Sequence, residues 1–269
     1  MGNVWDAMKK HEQEQVKKDD TPKNLADANV PSPAPDSKES LATYPSSDGY
    51  SPLLVVHYDR GGLFAEQYRS LRTNLLTRSR QECFCIAITS AETGEGKTVT
   101  CLNLALVLVE LPGTRVAVVD GDLRKGTLTS LLKVNKSPGF ADLLRGTCSM
   151  EEVIQPSLYP NLDVISCGSA KYSELGAVLG KFHKSGIIPK LRQQYDCVLF
   201  DTPAISMVSD TCVLAHSLGE VLMVVRMRKT SKASVERAVN LLKAAEVKIS
   251  GMFLTHQKDY VPTYFSRYY

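Results

Sequence analysis

Six short runs of almost unbroken apolar residues constrain this chain more than anything else in it. They are Cys83-Phe-Cys-Ile-Ala-Ile-Thr89, Val116-Ala-Val-Val119, Leu162-Asp-Val-Ile165, Cys197-Val-Leu-Phe200, Val221-Leu-Met-Val-Val225 and Met252-Phe-Leu254. A strand with one wet face alternates apolar and polar side chains. A strand that reads apolar throughout is covered on both faces, as in a parallel sheet between helices. Helical spacing fills the gaps between runs. Over Leu63 to Arg78, Phe64, Tyr68, Leu71 and Leu75 share one stripe, and Val235, Ala238, Val239, Leu242 and Ala245 repeat the pattern later. This alternation predicts an α/β chain of three layers with a mostly parallel sheet.

Charge and proline mark off the ends. Residues 1–50 hold 6 Lys against 9 acids and 5 of the 13 prolines, three of them at Pro31, Pro33 and Pro35. Such a stretch buries too little apolar surface to offset its ordering entropy, and it is expected to be a disordered N-terminal arm and linker. Residues 51–256 carry the globular pattern. Residues 257–269 have no period and read as a flexible tail; Tyr260, Tyr264, Tyr268 and Tyr269 are four of the chain's 11 tyrosines. The formal charge is only +3, so no nucleic acid is expected as a partner, while a basic stripe of Arg60, Arg69, Arg72, Arg78 and Arg80 suits membrane-proximal docking. The seven cysteines are odd in number and contain no C-x-x-C, and the five histidines are scattered; a reducing, cytoplasmic setting without structural metal is expected. No apolar run reaches the roughly 18 residues of a membrane span. Met1-Gly2 lacks the Ser or Thr of a myristoylation signal, having Asp6 at that position.

The chemistry concentrates at three strand ends. Ala91-Glu-Thr-Gly-Glu-Gly-Lys97-Thr98 follows the first apolar run and opens a helix expected from about Thr98 to Val109. Small residues there let successive N–H groups converge on phosphate oxygens, Lys97 brings a point charge, and the Thr98 hydroxyl can ligate Mg²⁺. Asp201, in Cys197-Val-Leu-Phe-Asp201-Thr-Pro, ends a buried strand, where a second acid for Mg²⁺ belongs. Val116-Ala-Val-Val-Asp120-Gly-Asp122-Leu-Arg124 sets two carboxylates two residues apart at another strand end. Ligands of open α/β sheets bind there, and two acids beside Mg·ATP can divide the work, one on the metal and one accepting a hydroxyl proton.

The loop, the D-x-D-x-R strand end, the D-T-P segment and the tyrosine tail, in this order, resemble the bacterial tyrosine kinase family. The resemblance covers about residues 58–269 and implies a phosphate-loop NTPase fold of the MinD/ParA-like branch. In MinD/ParA proteins a signature Lys holds the second loop position, which is Glu92 here. The resemblance further implies an ATP-dependent protein tyrosine autokinase using ATP and Mg²⁺. Its phosphate site is Thr93, Gly94, Glu95, Gly96, Lys97, Thr98 and Val99. Lys97, Asp120 and Asp122 are its catalytic residues, with Asp120 as base toward the tyrosine hydroxyl, a role it can share with Asp122. Thr98, Asp122 and Asp201 organise the metal. The tail tyrosines 260, 264, 268 and 269 are its phosphoacceptors, and Glu66, Arg69 and Arg72 match the E-x-x-R-x-x-R oligomerisation motif. The partners implied are other copies in a ring-like homo-oligomer, a separate transmembrane polysaccharide co-polymerase as activator, and an opposing tyrosine phosphatase. That activator implies recruitment to the inner face of the cell membrane, and the pathway served is capsule or exopolysaccharide synthesis and export. The chain departs from the family at Thr93, where Pro is usual, at Thr255, where Asn commonly reads adenine, and at Lys171-Tyr-Ser-Glu174-Leu175, which lacks an Asn and a Pro. From the residues alone, a dimeric ATPase switch or a non-catalytic ATP-binding scaffold are the alternatives.

Overall fold

A computed structural model describes residues 51–78, 83–207 and 210–256. The proposed arm, 1–50, and the tail, 257–269, with its four tyrosines, lie outside the described residues.

The alternation rule for buried strands is visible in β1 (Phe84–Ser90). Cys85 and Ala87 point into one apolar core, while Phe84, Ile86 and Ile88 point into another. Strands β2 (Val116–Asp120), β4 (Leu162–Ile165), β5 (Cys197–Asp201), β6 (Glu220–Arg226) and β7 (Lys248–Thr255) join it, with a short β3 (Ile154–Pro156). The sheet has seven strands in the order β3-β4-β2-β5-β1-β6-β7, parallel throughout except for β3.

Helices cover both faces. One face carries α1 (Val55–Tyr58), α2 (Leu63–Arg78), α3 (Lys97–Val109) and α4 (Thr127–Leu132); α3 is buried along almost its whole length. The other face carries α5 (Phe140–Arg145), α6 (Met150–Val153), α7 (Leu175–Leu179), α8 (Ile187–Gln194), α9 (Asp210–Leu218) and α10 (Lys232–Ala244). Its centre is a trio of rings, Phe140, Phe182 and Phe200, with centroids 5.4 to 5.8 Å apart. Such edge-on and tilted aromatic packing adds to the area term. The three-layer α/β expectation holds, and all seven cysteines are free.

Three local outcomes differ from the sequence reading. The last apolar run is not covered on both faces: β7 is an edge strand, with Met252 and Leu254 about half exposed. β3 carries no apolar run and pairs antiparallel only with β4. Phe64 leaves the expected stripe and is 59% exposed, whereas Tyr68 and Leu75 are buried. Arg69 reaches Glu110 and Arg72 reaches the Val107 carbonyl, so α2 runs antiparallel to α3. Phe64, roughly 7 Å before Arg69 along the axis, overhangs the end of α3.

Two polar side chains fix segments that the apolar pattern leaves loose. Asn103, fully buried in α3, accepts from the Val56 N–H at 3.0 Å and donates to the Leu53 and Val99 carbonyls at 3.0 and 2.9 Å. Asn103→Ala strips partners from a buried N–H and two carbonyls and is expected to cost about 2 kcal/mol, read as a lower urea midpoint at unchanged slope. Asp142 accepts from the Gly139 N–H at 2.9 Å, the Ser137 hydroxyl at 3.0 Å and the Arg145 guanidinium at 2.7 Å. Burial pulls its pKa upward, but the bonds from Arg145, Gly139 and Ser137 outweigh that and hold it below the ordinary 3.8. A lowered folded pKa gives stability that is present above 3.8 and lost as pH falls through the folded value. Asp142→Asn is therefore expected to flatten the acid limb of stability below about pH 4, measured by thermal unfolding across pH.

Candidate phosphate and aspartate site

Parallel strands bring their C-terminal ends to one edge, and β2, β5 and β1 lie side by side there. The three predicted elements meet at that edge. Asp120 and Asp201 are register partners on neighbouring strands. The phosphate loop leaves β1 and turns into α3 at Gly96, whose φ of 93° is left-handed and suits glycine. Gly121, between Asp120 at the end of β2 and Asp122 just beyond it, makes a different demand: a Cβ there would lie 2.9 Å from the Asp201 carbonyl oxygen. Its N–H donates to that same oxygen at 2.8 Å, closing the gap between strand ends.

The functional side chains converge. Lys97 Nζ stands 3.7 Å from Asp201 Oδ1 and 3.8 Å from Asp122 Oδ2. The Thr98 hydroxyl donates to Asp201 Oδ2 at 2.7 Å. Asp120 Oδ2 accepts from both the N–H and the hydroxyl of Thr129, at 2.9 and 2.6 Å, which locks its carboxylate against α4. Burial pushes the Asp201 carboxyl up to about 7, against the pull of Lys97. Burial also raises Asp120, with the Thr129 bonds opposing and the Asp122 charge reinforcing.

Among the described residues, two buried carboxylate oxygens, Asp120 Oδ1 and Asp201 Oδ1, have no hydrogen-bond partner. An unpartnered carboxylate oxygen of Asp201 beside the Lys97 ammonium and the Thr98 hydroxyl is the kind of oxygen donor that a hard divalent cation takes. Among the described residues no cluster of three or more His, Cys, Asp or Glu is spaced as a self-contained metal cage. Mg²⁺ is commonly bound through one or two carboxylates plus water and substrate phosphates. Thr98, Asp122 and Asp201 are the residues that would hold it.

Within the loop, Thr93 and Gly94 are exposed and Val99 lies in the first turn of α3. Glu95 takes a role that its position in a phosphate loop does not announce. Its side chain is buried and accepts from the Glu92 N–H at 2.8 Å, the Arg226 N–H at 3.2 Å and the Thr230 hydroxyl. The Thr255 hydroxyl donates to the Glu95 carbonyl at 2.8 Å, so the loop is clamped to the ends of β6 and β7. Glu92 accepts from the Ser234 hydroxyl at 2.6 Å, tying the loop to α10 as well.

Arg124 was part of the D-x-D-x-R pattern without a stated partner. Its guanidinium forms a two-point pair with Asp210 at 2.8 and 2.9 Å and sits 4.3 Å from the Tyr172 ring centroid. Arg69 and Arg72 are engaged within the chain. Arg69 grips Glu110 at both carboxylate oxygens, at 2.7 and 2.8 Å, and Arg72 donates to the Val107 carbonyl. Glu66 pairs with Arg69 and keeps a side chain 59% exposed.

The arrangement is that of a phosphate-loop NTPase, and the comparisons with known proteins agree. Residues 84–251 match the AAA domain family. EpsB of Ralstonia nicotianae is 34% identical over 188 residues, 70% of this chain and 25% of that protein. The tyrosine-protein kinase YwqD of Bacillus subtilis is 32% identical over 197 residues, 73% of this chain and 82% of that protein. Among solved structures, the kinase domain of the Escherichia coli tyrosine kinase ETK superposes with a TM-score of 0.71 at 27% identity, covering 80% of this chain and 85% of that one. The cell division ATPase MinD of Pyrococcus furiosus superposes with a TM-score of 0.56 at 28% identity, covering 64% and 71%. The chain belongs to the bacterial tyrosine-protein kinase family of MinD/ParA-like phosphate-loop NTPases. It spans about a quarter of the length of EpsB and most of YwqD. Among the described residues no helix is long and apolar enough to cross a membrane.

Glu95→Ala removes the clamp from two part-buried N–H groups and is expected to cost about 1–3 kcal/mol of stability. The loosened loop is expected to bind a fluorescent ATP analogue about tenfold more weakly, because preorganisation is lost. Unchanged affinity in a destabilised variant would show that the clamp serves folding alone.

Proposed function

We propose that this chain is an ATP-dependent protein tyrosine autokinase. It transfers the γ-phosphoryl group to the tail tyrosines 260, 264, 268 and 269, between subunits of a homo-oligomer. The observation that carries this reading is the meeting of Lys97 with Asp122 and Asp201 at 3.7–3.8 Å, with Asp120 in register beside Asp201. A plain phosphate-loop ATPase needs one acid at the β2 end; this chain brings two, Asp120 and Asp122, both buried.

The loop N–H groups from Thr93 to Val99 and Lys97 hold the β and γ phosphates of ATP. Mg²⁺, when bound by Thr98, Asp122 and Asp201, offsets charge on the phosphates. A tyrosine hydroxyl attacks the γ phosphorus, the bond to the β-phosphate oxygen breaks to leave ADP, and the phenolic proton passes to Asp120 or Asp122. Thr129 holds Asp120 in one orientation for that step. Glu66, Arg69 and Arg72 contribute to the contact with a second copy, and within the chain Arg69 and Arg72 also hold their helix against α3. Kinship with EpsB and YwqD supports a role in capsule or exopolysaccharide synthesis and export. A separate membrane activator would recruit the chain to the inner membrane face, and a tyrosine phosphatase would reverse the reaction.

The test incubates purified protein with Mg·ATP and maps phosphotyrosine by mass spectrometry. Wild type is expected to label the tail, and Lys97→Met to lose roughly 100-fold or more, the scale for removing one transition-state charge contact. Replacing all four tail tyrosines by Phe is expected to abolish tail label and leave nucleotide binding intact. ATP turnover without tail phosphotyrosine, even with an activator fragment present, would sink the kinase reading.

A further inference from the structure

A cavity of about 280 Å³ opens behind the aspartates. Gly126, Thr129 and Cys167 line its floor, and Lys125, Lys133 and Lys136 stand around it. The floor is shared with the site: Thr129 binds Asp120 Oδ2 through its N–H and hydroxyl, and its hydroxyl oxygen accepts from the Cys167 N–H at 3.0 Å. A Cβ on Gly126 would lie 3.8 Å from Asp120 Oδ2 and 2.6 Å from the Cys167 sulfur, so the wall between cavity and carboxylate is one residue thick.

The three lysines are exposed. Ion pairs of the described lysines fall on Lys97, Lys232 and Lys248 instead. Lys133 is fixed in the left-handed conformation that ends α4, with φ of 54°. Asp120 lies behind the Thr129 floor, its Oδ2 already occupied by Thr129, and Asp122 accepts from the Lys125 N–H at 3.2 Å. Three positive charges around one concave site, beside a phosphotransfer centre, are built for an anion.

We propose that this cavity binds the phosphoryl group of a tyrosine already phosphorylated on the tail of a second copy of this chain. A neighbouring tyrosine of the same tail is then presented to Asp120 and Asp122. The inference rests on the kinase reading and adds to it an order of events. Tyr264 and Tyr268 are four residues apart, roughly 13 Å in an extended chain, enough to reach from the cavity across the Thr129 wall. Charge sets a capacity as well. A phosphotyrosine carries about −1.5 to −2 at pH 7, so the three lysines are matched by one or two such groups.

The test uses the full chain, treated with phosphatase, and fluorescent peptides of residues 257–269, one phosphorylated at Tyr268 and one not. Binding is read by anisotropy without nucleotide. The phosphopeptide is expected to bind at least tenfold more tightly than its unphosphorylated twin. Lys133→Gln with Lys136→Gln, both surface changes, is expected to erase that preference and leave affinity for a fluorescent ATP analogue unchanged. Equal affinity of the two peptides, or a preference that survives the double variant, overturns the proposal. Inorganic phosphate or anionic lipid vesicles binding at these lysines with no preference for the phosphopeptide overturns it too, in favour of that ligand. Because the peptide is made synthetically, a positive result stands even if the chain labels no tyrosine. A negative one in a chain that does label its tail refutes only the cavity.

Discussion

Three carboxylates crowd the ends of adjacent buried strands, two of them, Asp122 and Asp201, share a single ammonium, and the rest of the fold is arranged around that imbalance. Asp120 and Asp201 are wholly enclosed, and ionised groups in such surroundings need partners or must give up charge. Lys97, the Thr98 hydroxyl and the Thr129 pair supply part of that, and the unpartnered oxygens are acceptors that a cation could satisfy. Holding so costly an arrangement requires two apolar cores pressing the sheet from both sides, and those cores are what the six apolar runs encode. Stability and chemistry are therefore opposed at one strand edge and reconciled by substrate.

The features legible in the sequence were those in which physics leaves little freedom of residue type. A doubly covered strand must be apolar throughout, so β1, β2, β4, β5 and β6 could be placed closely from composition. A phosphate loop needs small residues, a Lys and a hydroxyl in fixed order, and the following helix begins at the residue the loop dictates. The aspartates were readable because an acid at the end of a buried strand has few structural uses.

What escaped reading depends on partners distant in sequence. Glu95 looks like one more loop residue until Arg226 and Thr230 are brought against it. Arg69 and Arg72 are spaced along a helix face, and their partners within the chain, Glu110 and Val107, meet them only once α2 folds back along α3. β3 becomes a strand by pairing with β4 and has no pattern of its own. Lys125, Lys133 and Lys136 span a helix and its exit, and their common concavity exists only around Thr129 and Cys167. Arg124 is similar, since Asp210 and Tyr172 come from two separate segments on the far face.

Asn103 has a mechanical meaning beyond its contribution to stability. It sits on the helix that begins at Lys97, within two turns of it, and it grips the backbone at Leu53 and Val56. The backbone at residues 53–56 is therefore attached to the helix that begins at Lys97 and Thr98, rather than to the domain's rim. Tension or crowding applied to the polypeptide ahead of residue 53 arrives first at that helix, as a handle is joined to a blade.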